Sequence, residues 1–282
     1  MKYKFIASSL LLSIMALALT ACSKGTIDRY KKRINPYSNE VSEADLVVTN
    51  DKLLEKSNEI RANDYVISLE SFERMMYEEY FKANKTDTTV KSNSERSRNN
   101  KISYDASSGS YHTLSEENMT SEVVDVKTTN QSSNSSSFDQ SYEDIGVGAI
   151  LFDNKAMTYQ KLPKPLWSNI KDKMSPYVIL HALGAMKYFS SAPMRFYADG
   201  NQFTITVDDS SDGIDRNGEL QFIISDKKIN CSYYFTLIEI YDGNQYSEKA
   251  IELGGSINIE AKPVELKDRA LDRYIDLDNR LA

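Results

Sequence analysis

Cysteine and histidine are scarce in this 282-residue chain, with two of each, and tryptophan occurs once. Two cysteines cannot build a disulfide framework, so if the chain is exported its fold must be held by packing. Two histidines give a zinc site or a Ser-His-Asp arrangement little to draw on. His181 lies among Ile179, Leu180, Ala182 and Leu183 and reads as a core residue, while His112 stands alone and reads as exposed. Long apolar runs are also lacking. After the uncharged stretch Phe5–Leu19 nothing approaches the ~20 residues that a spanning helix needs. Nor is there an excess of basic charge, since the whole chain carries −7. Nucleic-acid binding depends on neutralising phosphates and is therefore not expected. Acidic pairs occur throughout and have no catalytic weight. The chain is expected not to be an enzyme, with no catalytic residue, no metal and no cofactor assigned.

The first 21 residues are the most informative. Lys2 and Lys4 precede the apolar stretch, which ends in Leu19-Thr20-Ala21-Cys22. A basic start, an apolar core of this length and small residues before a cysteine together form a lipoprotein signal. Cleavage before Cys22 and acylation of its thiol would tether the mature chain by two or three acyl chains, a far firmer hold than one chain gives. The expected location is the extracytoplasmic face of the cell membrane, or an outer membrane where the envelope has two. That makes Cys22 the lipidation site and leaves Cys231 without an intramolecular partner. Lying in the apolar stretch Cys231–Ile238, it reads as a small core residue.

Removing Lys2 and Lys4 leaves the mature chain at −9. Residues 22–39 carry five cations against Asp28, for +4, so the body behind them holds −13. Residues 22–41 read as a flexible basic tether. Ser42–Asp45 then resembles a capping box, and Leu46, Leu53, Leu54 and Ile60 follow at helical spacing, so a helix is expected over 43–61. Over 65–81 helical and strand periods both fit, with the balance to strand. Residues 82–98 are polar. Ile102, Tyr104 and Tyr111 suggest a hairpin through Ser107-Ser108-Gly109, and residues 128–141, rich in Ser and Asn, read as a flexible surface loop. A hairpin across Asp153-Asn154 is followed by a helical block. It begins at Leu166, Trp167 and Ile170, restarts at Ser175-Pro176, and buries Ile179, Leu183 and Met186. Strands at 194–198, 202–207, 219–225, 231–241 and 257–261 follow, separated by turns of Asp, Gly and Asn. Residues 264–282 read as a charged C-terminal helix.

Asp208, Ser210, Asp212, Gly213 and Glu219 fall at calcium-loop positions one, three, five, six and twelve. Arg216 at the ninth position and strand-like flanks oppose that reading, and a polar hairpin loop is favoured. The 18 tyrosines suit a sheet, and core use is favoured over an exposed binding platform.

The order of elements, with Gly200–Val207 and Ile257–Ala261 as closing strands, resembles the half-open β-barrel of the LolA and LolB lipoprotein carriers and of the mycobacterial LppX and LprG lipoproteins. The resemblance implies an α+β domain over 42–263, a curved antiparallel sheet wrapped over a few helices, with N- and C-terminal helices. It also implies a lipid or other apolar ligand, for which Ile179, Leu183 and Met186 are the cavity candidates. The alternative is a non-catalytic surface module that binds protein or glycan. A void under the sheet or a solid core separates the two.

Overall fold

The computed structural model describes residues 43–81, 90–125, 128–182, 194–211, 213–242 and 245–266, together with Ala270 and Tyr274. The signal segment 1–21, Cys22 and the tether 22–41 lie outside these, as do Leu183 and Met186.

Among the described residues eleven antiparallel strands form one sheet. They are β1 (Tyr65–Phe81), β2 (Val90–Asp105), β3 (Ser110–Asp125), β4 (Thr128–Asp144), β5 (Gly148–Asp153), β6 (Thr158–Pro163), β7 (Met194–Asp199), β8 (Gln202–Ser211), β9 (Ile214–Ser225), β10 (Lys228–Asp242) and β11 (Gln245–Ala261). Their order is β6-β5-β4-β3-β2-β1-β11-β10-β9-β8-β7. The chain thus meanders outward from the centre to one edge, then returns from the other edge to pair β11 with β1 over all 17 residues of β1. At about 3.4 Å per residue these central strands are roughly 55 Å long.

This overturns the α+β expectation. The protein is nearly all β, and among the described residues the helices cover one end of the sheet instead of being wrapped by it. The helix α1 (Glu43–Arg61) forms as expected, but its buried stripe is Thr49, Leu53, Ser57 and Ile60, whereas Leu54 is exposed. The helical block is α2 (Lys164–Lys173) followed by a 3₁₀ turn (Pro176–His181). Ser175 occupies the N-cap position, yet its hydroxyl donates backward to the Asp172 carbonyl at 2.6 Å and caps nothing. Ala270 and Tyr274 are helical and pack on Ile150 and Phe152.

The second correction concerns residues 128–141, which are strand throughout. They continue β4 in unbroken register with β3, from Thr128 opposite Asp125 to Glu143 opposite Ser110. Composition misleads here because neither side of the strand's outer part is buried, so no period-2 apolar signal exists to read. Backbone pairing to β3 supplies the structure, reinforced by Ser121–Ser132 (2.8 Å) and Gln131 Nε2 to Glu122 Oε1 (2.7 Å). Likewise residues 90–98 of the polar stretch belong to β2, and the described residues of 208–219 are mostly strand. Asp208–Ser211 pairs with Ile214–Asn217 at the ends of β8 and β9, and Glu219 pairs with Thr206.

At the helix-covered end the sheet buries an aromatic row. Tyr65, Tyr104, Tyr111 and Tyr142 are cross-strand partners on β1 to β4. Trp167 of α2 stacks on Tyr142 at 5.9 Å and meets Tyr111 edge-on at 5.7 Å. On the other side of β1 the same face carries Ile67, Ile257, Ile259, Cys231, Phe222, Leu220, Phe203, Ile205 and Phe235, all buried. These rows and α1 form one contiguous core.

Candidate functional site

Alternation along the strands separates an inner face, which carries this core, from an outer one. Tyr233 and Tyr234 show the division. Tyr233 is mostly buried among inner-face residues, and burial pushes its hydroxyl pKa up to about 12. Tyr234, on the outer face, is 47 % exposed. On that outer face the far part of β1 to β4 and β11 is paved with Ser, Thr, Asn, Glu and Arg. Three depressions lie along it. One of about 480 Å³ is lined by Arg74, Met76, Asn93, Glu95, Thr120 and Gln131. A second, of about 410 Å³, is lined by Glu70, Phe72, Ser97, Asn99, Glu116 and Asn118. The third, of similar size, reaches Lys101, Leu114, Ser137 and Lys155. Shared residues Glu70, Asn99 and Glu116 join the second to the third.

Two aromatic rings border this trough. Phe72 lies against Gly254, where an added Cβ would come within 2.4 Å of the ring, so only glycine admits it. Tyr234, the cross-strand partner of Gly254, sits beyond it with ring centroids 6.3 Å apart. Arg74 holds the pair in place. Its guanidinium is 5.6 Å from the Phe72 centroid, 3.3 Å from Glu252 and 3.5 Å from Glu95. The Tyr234 hydroxyl donates to Glu252 at 2.6 Å. Such exposed ion pairs add little stability in water. Their effect is to orient planar polar groups beside the half-buried Phe72 ring and the exposed Tyr234 ring.

Two carboxylates at the helix-covered end serve the scaffold. Asp144 accepts from Trp167 Nε1 (2.9 Å), Lys171 Nζ (3.1 Å) and the Gly146 N–H (2.8 Å). Burial disfavours its charge, but these donors together outweigh burial and hold its pKa below the ordinary value. Asp139 is lowered in the same way: burial opposes, while His112 Nε2 (2.8 Å) and Asn154 Nδ2 (2.6 Å) prevail. His112 is therefore partnered, not alone. A carboxyl depressed in the folded state contributes stability that is complete above its unfolded pKa and is lost as pH falls through the folded one. Thermal melting should accordingly drop below about pH 4. Asp144→Asn should shrink the difference between melting temperatures at pH 5 and pH 3. An unchanged difference would remove Asp144 from the acid limb.

Arg98 lies on the inner face with a side chain 9 % exposed and Nε 3.3 Å from Glu117 Oε1. Arg96 pairs with the same carboxylate.

Among the cavity candidates Ile179 is described, and it is fully buried in the core. Leu183 and Met186 fall outside the described residues, as does the lipidation candidate Cys22. Cys231 is buried, and burial pushes its thiol pKa up, which suppresses the reactive thiolate. In the calcium-like segment Arg216 Nη1 donates to Asp209 at 3.1 Å on the inner face. Asp208 and Glu219 project from the outer face on neighbouring strands, and no cluster of three metal-ligating side chains forms among the described residues. The Phe72–Tyr234 pair was hidden from sequence reasoning, because it depends on β10 and β1 flanking β11. The signal available was the period-2 pattern that sets Tyr234 opposite in direction to Cys231, Tyr233 and Phe235.

No family model matches the chain, and no curated protein matches it. Solved structures give weak similarities. A β-barrel-like protein of the domain of unknown function DUF1849 from Brucella abortus is 8 % identical, with 68 % of this chain and 98 % of that one covered and a TM-score of 0.14. Pseudomonas aeruginosa OccK7 (OpdD) is 8 % identical over 64 % of this chain and 55 % of its own, with a TM-score of 0.17. The Salmonella SPI-1 injectisome secretin InvG is 8 % identical over 83 % and 75 %, again at 0.17. TM-scores this low establish no common fold. What stands is a large antiparallel sheet with a packed core at one end and an open polar trough.

Proposed function

We propose that this chain is a lipid-anchored, extracytoplasmic, non-catalytic binding module that takes a glycan on the outer face of its sheet. The observation that supports the reading is the pairing of an exposed ring, Tyr234, and a half-buried one, Phe72, with the oriented polar groups of Arg74, Glu252 and Glu95 beside an open trough. A sugar offers apolar C–H faces that stack on aromatic rings, and hydroxyls that pair with carboxylates, amides and guanidinium groups. The trough is shallow and polar, unlike the enclosed apolar clefts that hold acyl chains. Acyl-chain carriage has less support. Ile179 packs within the core instead of lining an opening. The lipid at Cys22 then serves as an anchor and not as cargo.

The test is affinity electrophoresis of the mature chain through gels containing cell-envelope polysaccharides. Retardation is expected with at least one of them, and Tyr234→Ala should weaken it about tenfold, the scale of one lost aromatic contact. Because Tyr234 is exposed, the variant should melt like the wild type. Unretarded migration in every polysaccharide, or retardation indifferent to Tyr234→Ala, would exclude this site.

A further inference from the structure

Among the described residues the outer edge of β4 lacks the charge, proline and bulges that ordinarily protect sheet edges. β3 pairs with β4 along its whole length, but β5 reaches only Gln140–Asp144. The Asp139 carbonyl is taken by the Asn154 N–H at 2.8 Å. From Thr128 to Phe138 the outward side therefore has no strand neighbour among the described residues. In an antiparallel ladder about half of the N–H and C=O groups of such a stretch point away from the paired strand. Edges of this kind are normally kept short, charged, bulged or interrupted by proline. The two terminal strands follow that rule: β6 is six residues long with Lys161 and Pro163, and β7 is six residues long with Arg195. The β4 stretch Thr-Thr-Asn-Gln-Ser-Ser-Asn-Ser-Ser-Ser-Phe instead contains no charge, proline or glycine, and its register shows no bulge.

We infer that this edge pairs with the same edge of a second copy of the chain, antiparallel about a two-fold axis at Ser133. The identity of the partner follows from charge. In an isologous pairing each residue meets its mirror position: Asn130 meets Ser136, Ser132 meets Asn134, and Ser133 meets itself. A charge near the axis would face its own copy, and the segment excludes charge in a chain where 27 % of residues are charged. A charged foreign strand would find no complement there. Toward opposite ends of the edge lie Lys155, bonded to Ser137, and Glu122, bonded to Gln131. The two-fold axis carries the lysine end of each copy toward the glutamate end of the other. Lipid anchoring would favour the pairing further by confining copies to one surface. The edge residues Gln131, Ser133 and Ser137 also line two depressions of the trough, so the inference is read from oligomeric state alone, while the glycan reading is read from Tyr234 on β10.

Sedimentation equilibrium of the mature chain carrying Cys22→Ser, from micromolar to hundreds of micromolar, tests it. The expected result is a mass that doubles with concentration. Ser133→Lys and Ser133→Asp should each stay monomeric, and an equimolar mixture of the two should recover the dimer, which a misfolded variant could not do. A wild type that remains monomeric throughout, a dimer unaffected by Ser133→Lys, or a mixture that stays monomeric would overturn the inference.

Discussion

Exchanging Cys22 for alanine is expected to move the protein almost wholly out of the membrane fraction, or to leave it as an unprocessed precursor. On the proposed reading the thiol is the attachment point for the diacylglyceryl group, and no other residue of the segment could replace it. One acyl chain binds a bilayer only marginally, with a constant of about 10⁴ M⁻¹, whereas two or three make the hold nearly permanent. Little else would keep the chain at the surface. Residues 22–39, at +4, would gain about 1 kcal/mol per cation near anionic lipid, while the −13 of the chain behind them would be repelled by the same lipid. No helix among the described residues is long and apolar enough to cross a membrane. Metabolic labelling with a fatty-acid analogue, followed by fractionation, measures both effects. Equal labelling of wild type and Cys22→Ala would exclude Cys22 as the anchor.

Replacing Trp167 by alanine should lower stability by about 3–5 kcal/mol, a large share of the 5–15 kcal/mol typical of a domain. The indole is 3 % exposed, stacks on Tyr142 and abuts Tyr111. Its removal opens a cavity above the aromatic row that strand pairing does not allow to collapse. It also takes one donor from Asp144, leaving Lys171 and the Gly146 N–H. Trp167→Phe keeps most of the ring and loses the N–H, so its cost should be nearer 1 kcal/mol. Urea unfolding followed by far-ultraviolet circular dichroism gives both values, and an unchanged denaturant slope would show that the folded and unfolded states are otherwise comparable. A cost below about 1 kcal/mol for the alanine variant would mean that α2 does not close the core.

Local signals were legible wherever a residue's own neighbours decide its conformation. Helix α1 could be read from its spacing over 43–61. The turn at Ser107-Ser108-Gly109 could be read from residues that suit it: Gly109 has φ +68°, and Asp105 accepts from Ser107 and Ser108. The strand choice over 65–81 and the turns between the closing strands followed from similar patterns. Cys231 was rightly placed in the core because apolar residues alternate around it. The error over Leu54 came from counting apolar residues without polar ones, since Thr49 and Ser57 complete the buried stripe. Ser57 can be buried there because its hydroxyl donates to the Pro176 carbonyl at 3.4 Å, a partner 119 residues away.

By itself, then, the sequence carried the expectation of an export and acylation signal, and it determined the charge distribution, helix α1 and the positions of most turns. These rest on covalent chemistry, net charge and interactions within a few residues. Only the tertiary structure decided that Thr128–Phe138 is a strand. Its hydrogen bonds run to β3 and leave no trace in its own composition. Strand order was likewise invisible locally. The pairing of β1 with β11 joins residues up to 196 apart, Tyr65 with Ala261. That one pairing turns two separate meanders into a single sheet. It brings Phe72 and Tyr234 to either side of Gly254, and it leaves the helices to close one end of the sheet instead of filling it.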